Sequence, residues 1–368
     1  MTVKQFFRRR DSHPYYLRNP RNLCPKGKSV KDLIQKLVTA FGPTGFEDEV
    51  RAIVQAEIKD LVDEVNVNKL GSLIALKKGN GQGKKIMLVA HMDEIGLMVT
   101  HIDQRGYARV TPLGTVFPLY GVGQRVRFAD GRAGVLCVDR REDSSKVPNF
   151  DQLYIDLGAK DKKSCPVQVG DVAAFQQPLA EFDGRLMAKS LDDRIGCAML
   201  IEVLRQLTLK DARAESTPHD VYCVFSVQEE TTSVGARTAA FSIDPDVAIV
   251  VDVTSTGDTP KALPMAVELG KGPAIKVRDA GSIADPRVRR WLVQRAKEAR
   301  IPYQLEILRD GSTDADVIQP SRDGVPSGGV LIPCRHVHSP SELIDLADVA
   351  NGVKLLLELV KKPIKLDE

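Results

Sequence analysis

Phe225-Ser226-Val227-Gln228-Glu229-Glu230 runs an apolar strand straight into two adjacent carboxylates. The residues just before it, Val221-Tyr222-Cys223-Val224, are β-branched, aromatic or small and apolar without a break. That is the pattern of a strand buried on both faces of a largely parallel sheet, and it implies an α/β fold. In such sheets ligands collect at the carboxyl ends of the strands. A lone acidic pair at that place has an ordinary reading as a solvated strand end. Three further stretches argue against it.

These are Ile86-Met87-Leu88-Val89-Ala90-His91-Met92-Asp93, Val247-Ala248-Ile249-Val250-Val251-Asp252, and Val330-Leu331-Ile332 leading to His336 and His338. Each is an apolar run ending in a side chain that can ligate a metal. Strands ending in His, Glu-Glu, Asp and His would gather nitrogen and oxygen donors along one rim of one sheet, where a metalloenzyme builds its site. Core packing alone does not ask for this.

The 368 residues allow two domains and a substantial core, and a hydrophobic content of 43 % is ordinary for a soluble protein. A net charge of +3, with no basic block beyond Arg8-Arg9-Arg10, argues against nucleic acid as a partner. Cys24, Cys137, Cys165, Cys197, Cys223 and Cys334 are scattered and form no Cys-x-x-Cys pair, so neither a disulfide framework nor a thiolate metal site is expected. No run is long enough to cross a bilayer, and the start of the chain has no apolar signal core. A cytoplasmic protein without a membrane partner is expected.

Residues 1–28 are rich in Arg, Asn and Pro without a period and read as an extended or disordered arm. Leu33, Leu37 and Phe41 then mark one helical face, and Val50, Ile53, Val54 and Ile58 a second. Val65-Asn66-Val67 and Leu73-Ile74-Ala75-Leu76 read as antiparallel strands. From 98 to 184 the texture changes to short alternating strands broken by Gly and Asp turns, which reads as a small inserted β-barrel or sandwich. The expected division is therefore 29–97 and 185–368 for the α/β domain and 98–184 for the insertion. Beyond it, helices are expected over 193–207, around Trp291, Leu292, Ala296 and Ala299, and around Val349, Val353, Leu356 and Val360.

Taken singly, the remaining motifs have plain readings. His91-Met92-Asp93 could be a structural histidine beside an acid, or a ligand whose second N–H is held by Asp93. Asp192-Asp193 could cap a helix or bridge two ions. His336-Val337-His338-Ser339-Pro340 could be a polar turn.

Together, Ala90-His91-Met92-Asp93-Glu94-Ile95-Gly96, Leu191-Asp192-Asp193-Arg194-Ile195-Gly196, Val227-Gln228-Glu229-Glu230, Val251-Asp252-Val253-Thr254, Ser312-Thr313-Asp314-Ala315 and Arg335-His336-Val337-His338-Ser339-Pro340 resemble the tetrahedral aminopeptidases, cytosolic metallopeptidases often labelled glutamyl aminopeptidase or cellulase M. The resemblance runs from about residue 29 to the end. It implies a mixed-sheet aminopeptidase-type catalytic domain with an inserted β-barrel dimerisation domain. It also implies two divalent ions, with zinc ahead of cobalt or manganese, bridged by Asp192. His91 and Asp252 would complete one ion and Glu230 and His338 the other. Glu229 would be the general base on the water between them, and Asp93 would orient His91. The implied substrates are unfolded peptides with a free N terminus, and the implied assembly is a homo-oligomer, a dodecamer built from dimers. One local departure stands out, since Thr231-Thr232-Ser233 precedes Val234-Gly235-Ala236 where the family usually continues directly with Val-Gly-Leu.

Other readings remain open at this point. A metal-dependent N-acyl amino-acid deacylase would need similar chemistry. A β-glucanase would need two carboxylates flanking a sugar and no metal. A metal-bound scaffold without activity would keep the ligands and lose the loop.

Overall fold

The apolar runs that end in acids and histidines lie side by side in one sheet. The computed structural model describes residues 30–81, 83–141, 143, 145–209, 217–364 and 366. The arm expected over residues 1–28 lies outside them.

The chain begins with α1 (Val30–Thr39) and α2 (Asp48–Ile58), amphipathic helices that bury Leu33, Ile34, Leu37 and Val38, and Val50, Val54 and Ile58, at three- and four-residue spacings. Phe41, read from the sequence as the end of the first stripe, lies beyond the helix and packs with Val172 and Ala174. Strands β1 (Glu64–Val67) and β2 (Leu73–Lys77) pair antiparallel, as expected of two strands flanking the Lys69-Leu70-Gly71 turn, with Val65 opposite Ala75. The next strand, β3 (Lys85–His91), is buried from Ile86 onward.

A closed six-stranded barrel follows. Its strands are β4 (Gly96–Ile102), β5 (Ala108–Leu113), β6 (Arg125–Phe128), β7 (Ala133–Val138), β8 (Leu153–Asp156) and β9 (Val172–Phe175), joined in the order β4-β5-β8-β7-β6-β9. One turn of helix, α3 (Pro118–Gly121), precedes β6. Leu97, Val99, Val110, Val126, Phe128, Leu136, Leu153 and Ile155 fill the interior, a separate small core. Strands β10 (Ala180–Phe182) and β11 (Arg185–Ala188) then return the chain to the main sheet.

The rest alternates helix and strand: α4 (Leu191–Thr208), β12 (Asp220–Ser226), α5 (Val234–Ile243), β13 (Val247–Thr254), β14 (Ala274–Arg278), α6 (Pro286–Glu298), β15 (Gln304–Ile307), α7 (Ala315–Ile318), β16 (Ser327–Arg335), β17 (Glu342–Asp345) and α8 (Leu346–Val360). Among the described residues the main sheet has 11 strands, in the order β1-β2-β12-β3-β13-β16-β17-β11-β10, with β14 and β15 attached beside β16. Its centre, β12-β3-β13-β16, is parallel, and antiparallel strands flank it. The sheet is therefore mixed.

Alternation explains why the central strands are apolar throughout. Ile86, Leu88 and Ala90 face the large core under α1, α2, α4, α6 and α8, whereas Met87 and Val89 face the smaller core under α5 and α7. The parallel register sets Ser226 beside His91 and Asp252 beside Leu331, which brings the polar ends of four strands to one edge.

Candidate active site

The carboxyl-terminal parts of four parallel strands and one helix start converge on a cleft of about 660 Å³, lined by His91, Asp192, Glu229, Glu230, Asp252 and His338 among others. His91 closes β3, and its ring lies between two acids. Nδ1 lies 3.3 Å from Asp93 Oδ1 and Nε2 lies 3.0 Å from Asp192 Oδ1. Glu229 Oε2 and Asp252 Oδ1 are each 3.9 Å from the same Nε2. Asp252 is not at the strand end but two residues inside β13, and its Oδ1 accepts from the Val253 N–H at 2.7 Å.

A second imidazole faces the other side of Asp192. His338 Nε2 lies 3.3 Å from Asp192 Oδ2 and 3.2 Å from Glu230 Oε2. Each oxygen of Asp192 thus addresses a different histidine, and each histidine has a further acid of its own. His336, the other histidine of that motif, is exposed and takes no part.

Asp192 can reach this place because the helix does not start regularly. Ser190 is left-handed at φ 50°, Asp192 and Asp193 have non-helical dihedrals, and the peptide bond between them is cis. Asp193 Oδ1 accepts from the Gly196 N–H at 2.9 Å, the bond a helix cap makes, and its Oδ2 accepts from the His91 N–H at 3.1 Å. The two readings of Asp192-Asp193 therefore divide between the two residues: Asp193 caps, Asp192 faces the cleft. A Cβ at Gly196 would collide with the Asp193 carboxylate, so glycine is required there.

Further carboxylates support the rim, and sequence reasoning gave them no role. Glu342, from β17, accepts from the Asp192 N–H and the His338 N–H, both at 3.0 Å, and so ties the two halves of the site together. Asp314 accepts from the Ser226 hydroxyl at 2.6 Å. Asp93 does more than face His91, since its two oxygens accept from the Glu229 and Glu230 N–H groups, each at 3.1 Å.

The electrostatics are those of a buried acid cluster short of positive charge. Burial opposes a proton on His338, but Glu230 and Asp192 outweigh it and push the imidazole up to about 12. Asp192 resists its own burial through the two histidines, which hold it well below the usual carboxylate range. Burial lifts Glu229 and Asp252 well above that range, and Asp252 itself adds to the rise at Glu229. Burial also raises Asp314 to about 7. Acids buried against so few cations must take up protons or meet metal ions.

The donor set fits divalent ions. Ligand atoms of His91, Asp192 and Glu230 lie within 4.8 Å of one another, as do those of His91, Asp193 and Asp252. In the second group both Asp193 oxygens already accept backbone N–H bonds, which leaves His91 and Asp252 as the freer donors. Imidazole and carboxylate without thiolate suit zinc, cobalt or manganese.

The sequence pattern of the M42 glutamyl aminopeptidase family matches residues 71–355. A lysyl aminopeptidase of Pyrococcus furiosus is 37 % identical over 350 residues, 90 % of this chain and 96 % of the relative. An aminopeptidase structure from the archaeon Desulfurococcus kamchatkensis superposes with a TM-score of 0.85 at 38 % identity, covering 90 % of this chain and 94 % of that one. The TET1 peptidase of Pyrococcus horikoshii, whose structure is described as able to assemble into a tetrahedron or a large octahedral shell, superposes with a TM-score of 0.80 at 30 % identity, over 91 % of this chain and 100 % of that one.

Proposed function

The chain belongs to the M42 glutamyl aminopeptidase family and is a hydrolase of the exopeptidase kind; on that premise we propose that it is a dinuclear metal-dependent enzyme that removes residues from the free N termini of unfolded peptides. The observation that carries this reading is the division of the Asp192 carboxylate between His91 and His338. A carboxylate with one oxygen toward each of two donor sets suits a bridge. His91 and Asp252 would complete one ion and Glu230 and His338 the other. Bound there, the ions would polarise the scissile carbonyl and lower the pKa of the attacking water.

The chain's own groups do the rest. Glu229 takes a proton from the water as its oxygen adds to the carbonyl carbon, and returns a proton to the amine nitrogen as the C–N bond breaks. Asp93, with Oδ1 3.3 Å from His91 Nδ1, would orient that ring, and through the amides of Glu229 and Glu230 it holds the strand end that bears both acids. The free α-ammonium of a substrate is the charge the acidic rim is short of.

A panel of aminoacyl-arylamides, one N-acyl-blocked substrate and one soluble glucan, each with and without chelator, tests the reading. Only the free-amine arylamides should be cleaved, and only without chelator. Equal turnover of the blocked substrate would mean a deacylase, chelator-insensitive glucan hydrolysis a glucanase, and no turnover a scaffold. Glu230 faces His338 and Glu229 faces His91, an arrangement that does not suit two carboxylates flanking a sugar.

The same panel carries a prediction about the side chain at the cleaved position. Among the described residues no lysine or arginine lines the cleft, whereas Asp310 and Asp316 do. An acidic side chain would be desolvated there without a partner, so kcat/KM for a lysyl-arylamide should exceed that for a glutamyl-arylamide by about tenfold or more. The lysyl relative agrees with this direction and the family's glutamyl designation runs against it, and faster glutamyl cleavage would overturn it.

The barrel is the proposed dimerisation element of a dodecamer, in a protein expected to be cytoplasmic. Its exposed Val135 and Val147, with Val169 just before β9, offer apolar contact outside the main sheet, and the tetrahedral relative supports the assembly. The insertion read as 98–184 takes in β10, which pairs with β11 in the main sheet, so replacing only residues 98–177 with a short linker should leave an α/β domain unable to assemble. Light scattering would show it, and a large particle surviving the deletion would move the contacts elsewhere.

A further inference from the structure

Glu47 is the first residue before α2, the place where a side chain ordinarily caps the helix. It makes no capping bond. Its carboxylate turns instead toward the active-site loop, where Oε1 accepts from the Gln228 N–H at 3.1 Å and from the Gly45 N–H at 2.7 Å. Glu47 is 4 % exposed, so this carboxylate is buried away from solvent.

Gln228 has a need for such a partner. It sits in the left-handed region at φ 59°, a conformation that non-glycine residues rarely hold without support. Its carbonyl is fixed by the Thr232 and Ser233 N–H groups at 3.1 and 2.8 Å. Its N–H is fixed by Glu47. The next two amides, of Glu229 and Glu230, go to Asp93. Three successive N–H groups therefore end on two buried carboxylates.

The segments bearing those carboxylates are tied to each other. The Thr44 N–H donates to the Glu94 carbonyl at 3.1 Å, and the Glu94 N–H to the Gly42 carbonyl at 3.0 Å. A second contact joins the same turn to the same loop, since the Thr44 and Thr231 hydroxyls are 3.3 Å apart. Thr231 is where this chain departs from the family pattern.

We propose that Glu47 is a positioning residue for the reaction: by accepting the Gln228 N–H it sets the direction in which Glu229 leaves the strand end. The inference rests on the reading of Glu229 as the proton carrier. Burial and the nearby Asp93 push the Glu47 carboxyl up to about 7. An acceptor oxygen serves the amides with or without that proton, so glutamine can replace it and alanine cannot.

The test compares Glu47→Ala, Glu47→Gln and Glu229→Gln in the full-length protein, reading kcat, KM and bound metal by plasma emission. Displacing a catalytic group by about 1 Å can cost about a hundredfold, so Glu47→Ala should lose about ten- to a hundredfold in kcat with KM within about twofold and metal content unchanged. Glu47→Gln should stay within about threefold of the native kcat. Native kcat in Glu47→Ala, loss of metal along with kcat, or Glu47→Gln as impaired as Glu47→Ala would each overturn the proposal. If Glu47→Ala does not yield soluble protein, Glu47→Asp takes its place with the same expected loss, because it withdraws the acceptor by one methylene. Native activity in Glu229→Gln would overturn the reading of Glu229 itself. An inactive Glu229→Gln beside a fully active Glu47→Ala would overturn only the role of Glu47.

Discussion

Stripping divalent ions with a chelator is expected to abolish peptidase activity, and adding back zinc, cobalt or manganese to restore it. The expectation follows from charge. Burial disfavours the charged forms of Glu229 and Asp252, so the rim needs cations beside it to hold these acids as carboxylates. A carboxyl holding its own proton can neither ligate an ion nor accept a proton from water. Among the described residues no buried thiolate substitutes, because burial pushes the Cys223 thiol up to about 12 and the Cys197 and Cys334 thiols higher than usual as well. The Cys197 thiol donates to the His91 carbonyl at 3.2 Å and serves the strand, not an ion. Thermal stability should follow activity. An ion present at a hundred times its dissociation constant stabilises the folded chain by about 2.7 kcal/mol per site, which a melting curve with and without chelator resolves. Full activity in protein shown by plasma emission to be metal-free would sink the mechanism.

The acids and histidines of the cleft were legible because each lies at or near the end of an apolar strand, and buried strands that end in polar groups are conspicuous. His91, Glu229, Glu230, Asp252 and His338 all carry that signal. Asp192 was legible only as one of two acids at a helix start, and periodicity could not say that Asp193 caps while Asp192 reaches the cleft. The roles of Glu342, Asp314 and Glu47 were out of reach for a different reason, although Asp314 lies in a stretch that carries the family resemblance. Their partners are backbone N–H groups or a hydroxyl, and such bonds leave no spacing rule in the sequence. Glu342 also sits on β17, four residues after His338, where it reads as part of a polar turn. Phe41 was misplaced because its apolar partners, Val172 and Ala174, belong to the barrel more than a hundred residues on. The helical period continued to fit by coincidence.

Glu229→Gln and Glu230→Gln are expected to fail in different ways although the residues are consecutive. Both side chains leave one strand end whose amides are held by Asp93, so the substitutions share a scaffold and differ only in what the carboxylate does. Glu230 lies 3.2 Å from His338 Nε2, within the donor set on that side of Asp192. Glu229 lies 3.9 Å from His91 Nε2, near the rim but outside hydrogen-bond contact with either imidazole. Glu229→Gln should therefore keep both metal ions and lose about a hundredfold to ten-thousandfold in kcat, the usual contribution of a positioned acid–base group. A neutral amide is a poor replacement for an anionic ligand that offsets an ion's charge. Glu230→Gln should accordingly weaken one ion, and its activity should recover in part as the metal concentration is raised. Activity falls in both, so rate alone does not separate them. Metal content does, and so does metal rescue, since added ions should leave Glu229→Gln as slow as before. If Glu229→Gln lost metal while Glu230→Gln retained both ions, the two roles would be reversed, and Glu47, which positions the first acid through the amide of Gln228, would then be acting on a ligand and not on the proton carrier.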